Sequence, residues 1–164
     1  MNYEFFLNSK FNYSVYFLQM PLQHRQVFSI GTFSSKELDC TIRFDKPAYV
    51  PNQVIRYEAE FHGNCTSLKG IELKLKRLYT FTAEQPSKKE VLKRKVLSQQ
   101  YQRASIDSKV VGTLPIPANL LPTTFEYCVV HLQYYVQVKI ILSFFCKNRK
   151  MHVPVRIGTV ALKS

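Results

Sequence analysis

Four thiols and four imidazoles carry the widest chemical repertoire in this sequence, and their spacing denies them most of it. Zinc calls for cysteine and histidine in close pairs, such as two thiolates separated by two residues. Cys40, Cys65, Cys128 and Cys146 stand far apart, and His24, His62, His131 and His152 are scattered among them. His131 and His152 each alternate with apolar neighbours, as solvent-side residues of a strand do, and would meet only across a hairpin. Asp39 and Asp45 are paired carboxylates in sequence alone. Asp45 precedes Lys46-Pro47, where an aspartate serves a turn by bonding nearby backbone amides. The sequence holds no nucleophile elbow, P-loop, dinucleotide glycine pattern or HExxH. With 5 glycines, a phosphate cradle of backbone amides has little to be built from. No catalytic residue, metal ligand or cofactor is expected, and the chain reads as no enzyme.

Charge is the stronger signal. The 23 basic and 11 acidic residues leave a net +12, and no acidic residue follows Glu126. Two basic clusters form the candidate site for an anionic partner: Lys88, Lys89, Lys93, Arg94 and Lys95, then Lys147, Arg149 and Lys150. Such a field draws in anions and speeds encounter with them. The candidates are acidic or phosphorylated protein tails, anionic membrane lipid and nucleic acid. A solvated basic surface that keeps an apolar-rich domain soluble accounts for either cluster equally well. Nucleic acid is the weakest candidate, because sheet-based binders expose aromatics among their basic residues for stacking. Tyr134 falls on an inward face, and no K/R-G-F/Y-G/A-F pattern occurs.

The elements that must position these charges are strands. From residue 38 onwards the apolar pattern has a period of two. Ile55, Tyr57, Ala59 and Phe61 share one face while Arg56, Glu58 and Glu60 share the other, as in a strand with one face in water. Ile71, Leu73 and Leu75 repeat the pattern against Glu72, Lys74 and Lys76, and the alternation slips at Arg77-Leu78 as a bulge would make it. Residues 62–67 suit a turn, and 84–89 a loop bent at Pro86-Ser87. Residues 91–103 resume as a strand, but Lys93-Arg94-Lys95 charges both faces, so it should lie at a sheet edge or extend beyond the sheet. Residues 110–114 form a short strand before Pro115, Pro117 and Pro122, whose missing donors exclude a central strand. The longest signal puts Val130, Leu132, Tyr134, Val136, Val138 and Ile140 inward. A polar turn over 147–150 then leads to Met151, Val153, Val155 and Ile157, completing a hairpin. About seven antiparallel strands with turns between them make an all-β sandwich.

Composition agrees. A chain of 164 residues suits one domain, and at that size roughly two-thirds of the unfolded surface is buried without help from disulfides or metal. The absence of Trp removes the mark of an immunoglobulin domain with its bridging disulfide, so the thiols are expected reduced. Residues 1–20 lack the basic start, unbroken apolar centre and small-residue cleavage site of a secretory signal, and a cytoplasmic setting is expected. Residues 1–35 fit the alternation poorly and are assigned as an N-terminal extension whose structure the periodicity does not decide. The domain proper runs over 36–162.

Three stretches within that domain resemble one family. Asp45-Lys46-Pro47-x-Tyr49-x-Pro51 with Gln53 is similar to the opening strand and turn of the arrestin C-terminal lobe, closest to the α-arrestin branch. Asn52 stands where the family usually has Gly, and Asn tolerates the left-handed conformation that Gly would adopt. Leu114-Pro115-Ile116-Pro117, Cys128-Val129-Val130 and Tyr134-Tyr135-Val136 resemble the family's proline run and following long strand. Val153-Pro154-Val155-x-Ile157-Gly158-Thr159-Val160 resembles its closing strand. The resemblance implies an immunoglobulin-like β-sandwich in a cytoplasmic adaptor that binds membrane-protein cargo in transport, endocytosis or endosomal sorting, with recruitment to the plasma membrane or endosomes. Its partners would be the acidic or phosphorylated cytoplasmic tails of membrane proteins, anionic lipid, or a second arrestin lobe. No second lobe fits within residues 1–35, so a single-lobe relative without cargo activity and a piece of a two-lobe product both remain open. No Pro-Pro-x-Tyr order occurs, and ubiquitin-ligase recruitment is not implied.

Overall fold

The alternation resolves into two facing sheets. The structure, a computed structural model, describes residues 20–30, 36–63, 67–81, 91–104, 108–123, 130–143 and 146–158. Its strands are β1 (Leu22–Ile30), β2 (Lys36–Phe44), β3 (Ala48–Tyr49), β4 (Val54–Gly63), β5 (Leu68–Phe81), β6 (Val91–Arg103), β7 (Lys109–Pro115), β8 (Val130–Leu142) and β9 (Arg149–Ile157). Among the described residues there is no α-helix. A four-stranded sheet runs β1-β2-β4-β7 and a five-stranded sheet runs β3-β9-β8-β5-β6. All pairings are antiparallel except the short one between β3 and β9.

The core lies between the sheets. Ile55, Tyr57, Ala59 and Phe61 of β4 are buried, facing a layer from the other sheet that includes Leu73, Leu75, Val136, Val138, Met151 and Val153. Full burial of one such side chain stabilises by about 1.5–3 kcal/mol, so this interface is the main favourable term. A slip of one residue in β4 would turn Glu58 and Glu60 inward, which fixes the register.

Among the described residues nine strands stand where about seven were expected. One addition is the two-residue β3. The other is β1, formed by a segment whose periodicity was indecisive. Phe28 is buried there opposite Leu38, but His24 and Gln26 occupy the inward positions opposite Ile42 and Cys40. Polar residues at an edge strand's inward positions erase the alternation without preventing the pairing.

The slip at Arg77-Leu78 has a different cause from the one expected. Pairing of β5 with β8 runs unbroken through Arg77 opposite Tyr134, so β5 has no bulge there. The irregularity lies on β6: Leu75 pairs with Ser98 and Lys76 with Val96, leaving Leu97 extra. Leu97 packs against the core. Arg77 keeps its inward position and lies 4.7 Å over the Tyr79 ring.

The turn between β2 and β4 follows the expectation closely. Asn52 has φ 68°, the left-handed region, with Pro51 before it and Gln53 N donating to the Val50 carbonyl at 3.2 Å. Those are the features of a type II turn. Asp45 Oδ1 accepts from Tyr49 Oη at 2.6 Å and from Arg56 N at 3.2 Å. Cys40 and Cys146 are free thiols. Cys65, Cys128, the loop at Pro86-Ser87 and residues 64–66 of the turn over 62–67 lie outside the described residues.

Candidate functional site

The predicted cations do not form one patch. Lys88 and Lys89 lie outside the described residues. Lys93, Arg94 and Lys95 lie on β6, opposite Tyr79, Leu78 and Arg77 respectively. Among the described strands β6 is the edge of its sheet, one of the two positions expected for it. Lys95 is exposed and shares the inward face with Arg77, near the end of the sandwich.

Lys147, Arg149 and Lys150 sit at the connection from β8 to β9. The Asn148 side chain fixes that connection by accepting from Leu142 N at 3.0 Å. Alternation then separates the neighbours. Arg149 faces inward opposite Ile140, is half-buried, and donates from Nη2 to the Ser29 carbonyl of β1 in the other sheet. Lys150 faces outward, exposed, opposite Lys139. Arg149 therefore ties the sheets together while Lys150 faces solvent. Lys95 and Lys150 stand level with Arg77 and Glu72 of β5, so about 17 Å of strand separates the two clusters. His131 and His152 are not brought together either. His152 pairs with Gln137, and its ring meets Tyr135 edge-on at 5.2 Å, whereas His131 lies opposite Thr80, about 20 Å further along β8.

The structure also assembles a basic surface that no single stretch of sequence announces. The outward face of the five-stranded sheet carries Lys74 and Lys76 of β5, Lys139 of β8, and Lys150 and Arg156 of β9. Glu72 supplies the carboxylate there. Lys74 Nζ lies 3.4 Å from it, Lys139 Nζ 3.8 Å, and Gln99 Nε2 donates to it at 2.7 Å. Gln137, at the centre, is 6% exposed and accepts from Lys76 Nζ.

The outward face of the four-stranded sheet is balanced instead. Arg25 grips Asp39 through both Nε and Nη2, at 2.5–3.0 Å, and holds that carboxyl below its ordinary pKa. Lys109 Nζ lies 3.0 Å from Glu58 Oε1 and lowers that carboxyl likewise, while Arg43 approaches Glu58 and Glu60 at 3.6 Å each. Each acid on this face except Glu37 thus has a cation beside it. Among the described residues, the excess positive charge lies on the five-stranded side.

Among the described residues no group of three or more His, Cys, Asp or Glu side chains is placed to hold a metal ion. Burial pushes the Cys40 thiol up to about 12, which removes its nucleophilic form at neutral pH. No described helix is long and apolar enough to cross a membrane.

Comparison with known proteins agrees with this architecture. The family described as Arrestin (or S-antigen), C-terminal domain, matches residues 34–162. The chain belongs to that family. The arrestin-type sandwich is a protein-interaction adaptor fold, and the family is in general non-enzymatic. Among solved structures, the sporulation control protein Spo0M from Bacillus subtilis has a similar fold at TM-score 0.57 and 13% identity. The match covers 75% of this chain and 50% of that one, so the chain spans half the length of the structure it resembles. No curated protein matches the sequence.

Proposed function

We propose that this chain is a non-enzymatic adaptor module that binds the cytoplasmic tails of membrane proteins in transport, endocytosis or endosomal sorting. It works in the cytoplasm and is recruited to the plasma membrane or endosomes. One observation carries the reading. Among the described residues β6 pairs with β5 alone, and Lys93, Arg94 and Lys95 lie along it. An extended peptide added to its free side would take main-chain hydrogen bonds from β6, while the cations select acidic or phosphorylated sequences. Placement in the α-arrestin branch belongs to the same proposal and rests on the resemblance carried by residues 44–55 and 113–162.

The test is a titration of the full chain with acidic, phosphorylated and neutral peptides at two salt concentrations. Replacing Lys93, Arg94 and Lys95 together by Glu should weaken acidic-peptide binding at least tenfold, with each cation contributing about 0.5–1 kcal/mol, and flatten its salt dependence. Unchanged affinity and slope would make β6 a solvated edge.

A second reading is a single-lobe structural subunit without cargo of its own, paired with another arrestin lobe. It predicts a stable complex with a folded domain and no affinity for tails. A nucleic-acid-binding sandwich is the remaining reading, and a single-stranded oligonucleotide in the same titration addresses it.

A further inference from the structure

We infer that β1 is a self-association edge, through which two copies of this chain pair antiparallel about a two-fold axis with Gln26 opposite Gln26. Hydrogen-bond parity shows what β1 leaves free. Asp45 N donates to the Arg56 carbonyl in the β2–β4 register, so odd-numbered residues of β2 bond β4 and even-numbered ones bond β1. Their partners on β1 are even-numbered too. The backbone groups of Gln23, Arg25, Val27 and Ser29 therefore point away from the sheet. The Ser29 carbonyl agrees, since the Arg149 side chain reaches it from the other sheet. Such an edge is a template for another strand, and sheets blunt their edges with lysine, proline, bulges or brevity. β1 has none of these. Its 9 residues include no Lys or Pro, its register with β2 is unbroken, and its single Arg is held by Asp39. The other described edges are guarded. β6 carries Lys93, Arg94 and Lys95 and a bulge at Leu97. β3 has 2 residues, and Pro154 occupies the free side of β9 beyond it, because Arg156 N bonds Pro47 and even-numbered residues face that way. β7 ends in Pro115 and lies against β6.

The occupant is a second copy because β1 complements itself. Antiparallel pairing of the free groups sets odd residues opposite odd ones. The register that uses all of them puts Arg25 opposite Val27 and Gln23 opposite Ser29 of the second copy, so no like charges meet. On the inward side Leu22 falls opposite Ile30 and His24 opposite Phe28. Gln26 meets its own copy, and the two amides can bond each other across the axis. Val27, 50% exposed in the single chain, is covered by the Arg25 stem of the second copy. A shift one way would oppose Arg25 to Arg25, and a shift the other way would leave Gln23 unpaired. Charge permits the approach, because β1 belongs to the sheet whose cations are matched by carboxylates. The layers have room for it. Arg149 ties β9 to β1, and β3 lies beyond β9 with no strand of the described four-stranded sheet over it. The second copy's β1 supplies that strand, and the contact is isologous and closed. It is independent of tail binding at β6, which lies at the far edge of the other sheet.

Sedimentation velocity of the full chain over a range of concentrations should show a monomer–dimer equilibrium. Salt should strengthen it, because screening reduces repulsion between two chains of net charge +12. Val27→Pro deletes an outward N–H without breaking a bond to β2, and should lower the association constant about tenfold or more. Val111→Pro is the matched control. Val111 is an exposed valine on the opposite edge, and its N–H points away from β4, because Ile116 N bonds the Gln53 carbonyl in that register. It should leave the dimer intact. Gln26→Cys reads the register. Residues facing each other in a non-hydrogen-bonded pair have Cα atoms about 4.5 Å apart, within the span of a disulfide. Copper phenanthroline should therefore cross-link Gln26→Cys into a dimer much faster than wild type or Ser29→Cys, whose two copies stand about 20 Å apart along the strands. A monomer at every concentration would overturn the proposal, and the free edge would then be covered by this chain's own residues or by another protein. Equal weakening by Val27→Pro and Val111→Pro would overturn it too, as would weakening by salt or equal cross-linking through Ser29→Cys. A circular dichroism melt checks that each variant is folded. If Val27→Pro is not, Val27→Lys replaces it, setting Lys opposite Arg25 on both sides of the axis with the same expected loss.

Discussion

Gly112→Ala is a sharp test of how the four-stranded sheet is held together. Gly112 of β7 pairs directly with Tyr57 of β4. A Cβ there would stand 2.5 Å from Tyr57 Oη and 2.7 Å from Cζ, closer than real Cβ contacts come. The ring has little freedom to retreat, since Tyr57 is 2% exposed within the core. Overpacking of this kind costs about 1–3 kcal/mol. For a chain of this size that lowers Tm by about 2–12 °C. The Tyr57 hydroxyl is itself buried without a hydrogen-bond partner among the described residues, and burial raises its pKa. Tyr57→Phe should therefore be near neutral or stabilising, because it removes a desolvated donor that nothing satisfies. It also removes the nearer of the two clashing atoms. In the Tyr57→Phe background the cost of Gly112→Ala should fall by about 1 kcal/mol, though not to zero while Cζ remains. Urea unfolding of the four proteins in the cycle gives that coupling directly. Strict additivity, or a cost below about 0.5 kcal/mol for Gly112→Ala alone, would refute the claim that the ring is pinned against the glycine.

Arg149 and Lys150 should differ in stability although they are adjacent. Arg149→Ala loses a charge-assisted bond between the sheets and should cost about 1–2 kcal/mol in urea unfolding, whereas Lys150→Ala, at an exposed position, should change stability by less than about 0.5 kcal/mol. The carboxyls of Asp39 and Glu58 titrate below their ordinary values in the folded chain because Arg25 and Lys109 bind them. Depressed folded-state values give stability that is present above the unfolded carboxyl range, near pH 4, and lost as pH falls through the lower folded values. Acid titration of the melting temperature should therefore show a shallow decline below about pH 4, reduced by Arg25→Ala and Lys109→Ala together; a decline of equal size in that variant would count against the pairs.

Much of the fold was legible because a half-buried strand writes its two faces into alternate residues. β4, β8 and β9 follow the expected inward positions, with Val130 at the exposed start of β8. The edge position of β6 followed from Lys93-Arg94-Lys95, since adjacent charges on both faces exclude a buried strand. Asn52 was legible because few residues besides Gly accept a left-handed φ. β1 was not, because His24 and Gln26 sit where apolar residues would have marked its inner face. The bulge at Leu97 was displaced in the reading to Arg77-Leu78. A cation on the inward face looks like a broken alternation until the aromatic ring beneath it is known.

The basic face shows what alternation cannot carry. Lys74, Lys76 and Lys139 each read as outward-facing from their own strands, and so did Lys150 and Arg156. Sequence places the first two about sixty residues from the third. Only the strand order β9-β8-β5 sets Glu72 and Lys139 side by side and Lys150 beside Lys139. Runs such as Lys93-Arg94-Lys95 catch the eye because they are contiguous, yet contiguity on a strand sends alternate side chains to opposite faces. Lys147-x-Arg149-Lys150 suffers the same fate: the run that reads as one cluster supplies one residue to the basic face and another to the contact between sheets. In a sandwich, charges that act together are spaced by two along a strand or matched across the ladder. A reading that looks for anion sites in runs will therefore favour edges and turns and overlook the faces.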